Sequence, residues 1–341
     1  MHAPDGFLNA GTAVATGAIS AGAIGVGLRQ AREQLADRQV PLAGISAAFI
    51  FAAQMFNFPV AAGTTGHLLG GALAAILLGP AVGSVVVAVV VIVQALLFAD
   101  GGVSALGYNV LNMAVVTAFG GYAVFRGLLR LLPRTATGVV FASGIAAGVS
   151  VVLSATAFSL EWLFGATFPV PFDTVFGAMV GVHLLIGIGE GVLTGLTVGA
   201  VLAARPDLVA GVHDLDRVAL RDRASIGMRG FLLAGALVAL LLATVVSQFA
   251  APAPDGLERV AEDTGIAEVA RDHALADAPF ADYATHGLRN ESLSLAVAGT
   301  AGVVITLAVG AGLVAAVRRG RGRGRASEGE HEHGPARAGV G

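Results

Sequence analysis

Residues 80–99 read PAVGSVVVAVVVIVQALLFA, a run with no charged side chain and only one amide, Gln94. A membrane-crossing α-helix needs about 20 mostly apolar residues to traverse a hydrocarbon layer roughly 30 Å thick, and this run meets that requirement. Seven more runs of comparable character lie at 7–28, 40–57, 104–125, 138–160, 175–203, 229–249 and 292–317. A ninth, 67–79, is shorter and rich in glycine, which suits a tilted or partly re-entrant helix lining a protein interior. The fold class that follows is an all-α integral membrane protein with about nine transmembrane helices.

Composition agrees. Of the 341 residues 55% are hydrophobic and 13% charged, with a mean hydropathy of +0.79, whereas soluble domains average about 25% charged. Cysteine is absent, so disulfides, thiolate metal sites and cysteine nucleophiles are excluded, and any metal here must use nitrogen or oxygen ligands. Lysine is absent too: all 20 basic residues are arginine. A P-loop needs its lysine on the nucleotide phosphates, so an ATP-driven process would require its motor on a separate chain. No HExxH motif supports a metal-assisted hydrolase.

Charge orients the spans. With nine crossings and the N-terminus outside, the loops 29–39, 126–137 and 204–229 and the tail after 317 fall on one side and carry 17 arginines, against 3 on the other. By the positive-inside rule the arginine-rich side is cytoplasmic, giving an N-out, C-in topology. The segment 250–291 holds nine acidic residues and three arginines and reads as an external loop. The chain therefore divides into a seven-span bundle (1–203), a cytoplasmic connector (204–228), a two-helix module (229–317) with that external loop, and a low-complexity tail (318–341) expected to be disordered.

The start, MHAPDGFL, has no basic n-region of a signal peptide, so the N-terminus is expected to be kept. A free amine on Met1, the amide nitrogen of His2 and its imidazole Nδ1 form fused chelate rings with three nitrogens in one plane, and tetragonal nitrogen sites suit nickel(II) or copper(II). His67, in the turn AAGTTGHLLGG on the same side of the membrane, is a candidate for the open fourth position. On residues alone a frayed terminus and a hydrogen-bonded loop histidine are the commoner readings of such residues.

Other polar groups compete for attention. Thr64, Thr65, Asn109 and Asn112 are candidates for outer-shell contacts to metal-bound histidines. His183 and Glu190 lie seven apart on one helix face, as a structural pair, a proton relay or a second ion site. The small-residue stripes Gly187, Gly191, Gly195, Gly199 and Ala13, Gly17, Ala21, Gly25 suit close helix packing. His331 and His333 fall in the tail, and His213, His273 and His286 have no site-like spacing.

Four stretches, MHAPDGFL, PVAAGTTGHLLGGALAAILLGP, VQALLFADGGVSALGYNVLNM and VHLLIGIGEGVLTG, resemble the CbiM/NikM substrate-binding components of energy-coupling-factor cobalt and nickel transporters. The resemblance covers roughly 1–203, and APDGLERVAEDTG resembles the PDGLE-type (CbiN/NikN) small component, so the chain looks like a fusion of the two. The resemblance implies a Ni²⁺ or Co²⁺ site made by the amine of Met1, the amide and side-chain nitrogens of His2 and the imidazole of His67. It also implies a non-enzymatic subunit of a prokaryotic plasma membrane importer. Its partners would be a CbiQ/NikQ-like coupling transmembrane subunit and CbiO/NikO-like ATPases, with no cofactor and no nucleic acid. The competing reading is an ATP-independent carrier or channel with His183, Glu190 and Asp100 along an ion path.

Overall fold

The computed structural model describes residues 1–34, 39–61, 63–212 and 226–332. After a non-helical start the chain forms α1 (Ala10–Gln34) and α2 (Gln39–Gln54). Two short antiparallel strands follow, β1 (Phe58–Pro59) and β2 (Thr65–Gly66), paired Phe58 to Gly66 and Pro59 to Thr65. Next come α3 (Gly71–Leu78), α4 (Pro80–Leu97), then α5 (Leu106–Val110) and α6 (Thr117–Leu128) joined by a π-helical turn (Leu111–Val116), α7 (Ala136–Gly165) and α8 (Phe172–Ala204). The C-terminal module contributes α9 (Met228–Thr244), α10 (Gly256–Thr264) and α11 (Glu291–Glu332).

Among the described residues seven helices are long and apolar enough to cross a membrane: α1, α4, the α5–α6 composite, α7, α8, α9 and α11. The 40–57 run yields the shorter α2, and the 67–79 run yields the eight-residue α3. Helix α3 rises only about 12 Å, too little for a bilayer, and it is preceded by the non-helical residues 65–70. Non-helical backbone at that depth is tolerated because it is buried in protein; residues 64–78 are all buried. Gly70 makes the turn into α3 at φ 80°, where a side chain would be strained and a Cβ would press on Ile50.

Helix α4 is the bundle's centre: 78% of its apolar window is buried, against 17% for α1 and for α9, which lie at the rim. It packs against α1, α2, α3, the α5–α6 composite and α11. Helices α7 and α8 form the closest pair. A Cβ on Gly144 or Gly148 would lie 2.9 or 2.8 Å from the carbonyl oxygens of Gly191 and Gly187, and one on Gly195 or Gly199 would lie 3.5 or 3.3 Å from Val140, so the α8 stripe works as packing surface against α7. The α1 stripe diverges, with Gly17 against Gly107 but Gly25 open.

The two-helix module is not a free appendage, for α9 and α11 pack on α2. Two boundaries differ from the sequence reading. Helix α1 begins at Ala10 rather than 7, because residues 1–8 are drawn into the bundle, and Met1, Ala3, Asp5, Phe7 and Leu8 are all buried. Helix α11 continues through Glu332, past the expected start of a disordered tail at 318. An established helix adds further turns at little cost, since its nucleus is already formed. Residues 333–341, with His333, lie outside the described residues, as do 213–225, which hold His213 and most of the connector.

Candidate metal site

The first five residues are strapped into the bundle by the chain after α4. Asn109 reads the backbone of Ala3 from both sides, accepting from its N–H and donating to its carbonyl, each at 3.0 Å. The Gly102 N–H also donates to the Ala3 carbonyl at 2.9 Å. The Asp5 carboxylate accepts from the N–H groups of Val103, Ser104 and Ala105 and from the Ser104 hydroxyl. Gly101, at φ 83°, lets this loop close over His2, where a Cβ would come within 3.2 Å of the His2 Cβ. The amine of Met1 is thereby delivered to the interior, with its residue 5% exposed.

Two imidazoles meet it there. The Met1 nitrogen lies 2.6 Å from His67 Nε2, close to the separation of about 2.8 Å expected for adjacent nitrogens on one metal with bonds near 2 Å. His67 Nδ1 donates to the Leu68 carbonyl at 3.0 Å, which leaves the Nε2 lone pair facing the amine. The ring of His2 stacks on that of His67, centroids 5.3 Å apart. Its Nδ1 lies 3.2 Å from Asp100 Oδ1 and its Nε2 3.2 Å from Gln94 Oε1. Gln94 in turn donates to the Tyr283 hydroxyl at 3.1 Å, and that hydroxyl donates to Asp100 Oδ2 at 2.6 Å. His2 thus sits in a closed ring of hydrogen-bonding groups completed by the C-terminal module.

Burial pushes the His2 imidazole down to about 4, with Asp100 opposing the shift. The ring is then neutral at physiological pH and cannot donate to both Asp100 and Gln94. A cation on Nδ1 would supply the missing positive partner while Nε2–H stays on Gln94. Among the described residues no three His, Cys, Asp or Glu side chains cluster as a metal cage. The donor set is two imidazoles plus backbone nitrogen, and it exists only because the terminus is docked.

A third party stands at the amine. The Asp255 carboxylate forms an ion pair with the Met1 nitrogen through Oδ2, which is also 3.5 Å from His67 Nε2. Burial alone would raise its pKa, but the positive terminus and His67 outweigh burial and hold the carboxyl well below the usual range. Outside these groups lies a cavity of about 490 Å³ whose lining includes His2, His67 and the carboxylates Asp100, Asp255, Glu258, Glu262 and Asp282. Among the described residues no arginine lines it. A cleft of one sign concentrates counter-ions, here cations, at its floor.

The remaining sequence candidates take other roles. Thr65 is fully buried and donates to the Ala253 and Pro254 carbonyls, pinning the C-terminal module to β2, and Thr64 is buried beside it. Asn112, in the π turn, donates to Glu161 at 2.8 Å. His183 and Glu190 share a face of α8 but make different bonds. His183 donates through Nδ1 to the Met179 carbonyl at 2.7 Å and lines a void of about 10 Å³ with Met1, His67 and Asp255. Glu190 accepts from the N–H groups of Leu69 and Gly70, 2.6 and 2.9 Å away, at the foot of the segment that carries His67. His273 contacts the Gly101 carbonyl at 3.1 Å. Sequence reasoning gave no role to Asp255, Gln94 or Tyr283; the DG pair before a helical run, a capping signal, was the one local hint for Asp255.

Membrane-crossing helices, with a buried set of nitrogen atoms beneath an acidic cavity at one end, define a multi-pass membrane protein. Residues 2–208 match the family described as cobalt uptake substrate-specific transmembrane region, and 229–319 match the PDGLE domain. The chain belongs to that family, joined to a PDGLE domain, and is a membrane transport component rather than an enzyme. It is 31% identical over 347 residues to the fused nickel transport protein NikMN of Rhodobacter capsulatus, covering 93% of this chain and 98% of the relative. The NikMN relative of Archaeoglobus fulgidus is 34% identical over 310 residues, 91% and 97% of the two chains. A crystal structure of a transition metal transporter superposes with a TM-score of 0.54 at 33% identity, covering 63% of this chain and all of that one.

Proposed function

We propose that this chain is the substrate-binding membrane subunit of an energy-coupling-factor importer for Ni²⁺ or Co²⁺, and that it holds the ion through the Met1 amine, the His2 amide and Nδ1, and His67 Nε2. The observation that carries this reading is the convergence of the Met1 nitrogen and His67 Nε2 at 2.6 Å, beside His2 and under the acidic cavity. Planar nitrogen ligation favours nickel, whereas Mg²⁺ and Ca²⁺ demand oxygen ligands. Copper binds such sites more tightly by the Irving–Williams order, so its exclusion rests on availability.

The absence of lysine from the whole chain supports separate ATPase subunits. A coupling transmembrane subunit completes the complex, with the N-terminus of this chain outside and its C-terminus cytoplasmic. The carrier reading is disfavoured because the Glu190 carboxylate is committed to the Leu69 and Gly70 amides. The test is metal content and uptake. Purified chain with a free N-terminus should hold one Ni²⁺ or Co²⁺, and cells should accumulate that metal only when the ATPase and coupling subunits are also made. Uptake by this chain alone, without ATP, would favour the carrier.

A further inference from the structure

We propose that Asp255, supplied by the C-terminal module, is the positioning counter-charge of the N-terminal chelate: it docks Met1 and His67 before the metal arrives and neutralises the loaded centre without ligating it. This inference rests on the metal-binding reading above. Asp255 divides its two oxygens between two tasks. Oδ1 accepts from the Leu257 and Glu258 N–H groups at 2.8 and 2.9 Å, the N-cap of α10. Oδ2 faces the Met1 nitrogen and His67 Nε2. The cap fixes the side chain, so Oδ2 is held in place rather than free to swing with a passing ion.

The backbone is fixed as well. Thr65 N–H donates to the Pro254 carbonyl at 2.9 Å, and Thr65 bridges to Asp255 as a short parallel pair. Thr65 stands two residues before His67. One piece of strand pairing therefore sets the distance between a residue of the N-terminal bundle's site and a carboxylate more than 180 positions later in the chain.

Charge explains why a carboxylate belongs here in both states. A protonated terminus presents one positive charge to Oδ2. A divalent ion bound to neutral amine, deprotonated amide and two neutral imidazoles also carries one net positive charge. Asp255 is paired before loading and after it, so at neither stage is a buried charge left alone, which would be costly. The four nitrogens fill the plane that a d8 ion prefers, and the other carboxylate oxygen is occupied by the helix cap. Asp255 and His67 line both the outer cavity and the small void under the amine, the position at which an ion from outside would displace the ammonium contact.

The test uses the full chain with a free N-terminus, titrated with Ni²⁺ and followed by the absorption of the nickel–nitrogen centre, with circular dichroism as the folding control. Asp255→Asn removes the charge but keeps the shape and an equally good N-cap, and Asp255→Ser does the same with a shorter cap. Both should bind Ni²⁺ at least about 10-fold more weakly, the scale of losing an outer-shell partner, while the absorption band at saturation stays where it is in the parent protein. Unchanged affinity in a folded variant would overturn the proposal. A shifted band at saturation would overturn it in another way, by making Asp255 a ligand. A parent protein that shows no nickel–nitrogen band contradicts the metal-binding reading itself, and this inference with it.

Discussion

Replacing Glu190 separates a positioning role from an ion-path role. Its carboxylate accepts from Leu69 N–H and Gly70 N–H at 2.6 and 2.9 Å in a fully buried setting, while Gln54 donates to the Leu69 carbonyl at 3.0 Å. Together they satisfy the non-helical backbone on which His67 rides. A hydrogen bond to a charged group contributes about 1.5–3 kcal/mol. Glu190→Gln keeps one carbonyl oxygen but turns an NH₂ toward an N–H donor, so one such bond is lost. Glu190→Ala leaves two buried N–H groups unpaired at about 1–3 kcal/mol each, a large part of a total stability of about 5–15 kcal/mol. If the lost bond loosens residues 67–70, Ni²⁺ affinity in Glu190→Gln should fall about 10- to 100-fold, at about 1.4 kcal/mol per decade. Calorimetric titration with a parallel thermal melt measures both. Parent-like affinity and melting temperature would refute the positioning argument, and unchanged binding with lost uptake would instead place Glu190 on an ion path.

His67→Ala should leave the fold intact and lower metal affinity by at least about the 10- to 100-fold typical of an outer-shell loss; a well-folded variant with unchanged binding removes His67 from the site. Because folding depresses the His2 imidazole from 6.5 to about 4, the unfolded chain binds more protons between those values. The docked terminus contributes stability that is full above pH 6.5 and is lost as pH falls toward 4. Melting temperatures of metal-free protein should decline across that window, and His2→Gln should flatten the decline; an unaltered slope in the variant contradicts the shift. For topology, a cysteine placed by Leu275→Cys should react with a membrane-impermeant reagent from outside and one placed by Arg325→Cys should not, and the reverse pattern would invert the orientation.

Much of this architecture was legible because lipid enforces a local rule, about 20 apolar residues per span, that composition alone reveals. Met1, His2 and His67 were legible together through the family resemblance, since on residues alone each has an ordinary reading; in the structure the Met1 amine lies 2.6 Å from His67 Nε2 and the His2 ring stacks on that of His67. The break at residues 67–70 was less legible. It depends on a carboxylate 120 positions away supplying what a helix would otherwise supply to its own backbone. The contacts of Asp255 and Tyr283 with the site were invisible for the same reason. Each touches its partner across 183 to 254 positions, and neither lies in a pattern of period 2 or 3.6. The α8 glycine stripe packs on α7 from Gly187 to Gly199, whereas the equivalent spacing on α1 leaves Gly25 uncovered. Spacing identifies a face but not what that face meets.

The central claim is that the beginning of the chain is itself the ligand, and one measurement addresses it directly. Adding Gly-Ser before Met1 turns the α-amine into an amide and moves the true terminus away from His67 and Asp255, while every side chain of the site remains. Ni²⁺ or Co²⁺ titration of that protein should show binding lost, and the same extension placed at the C-terminus should leave binding intact. An N-terminally extended protein that binds either metal with the affinity of the parent would contradict the account.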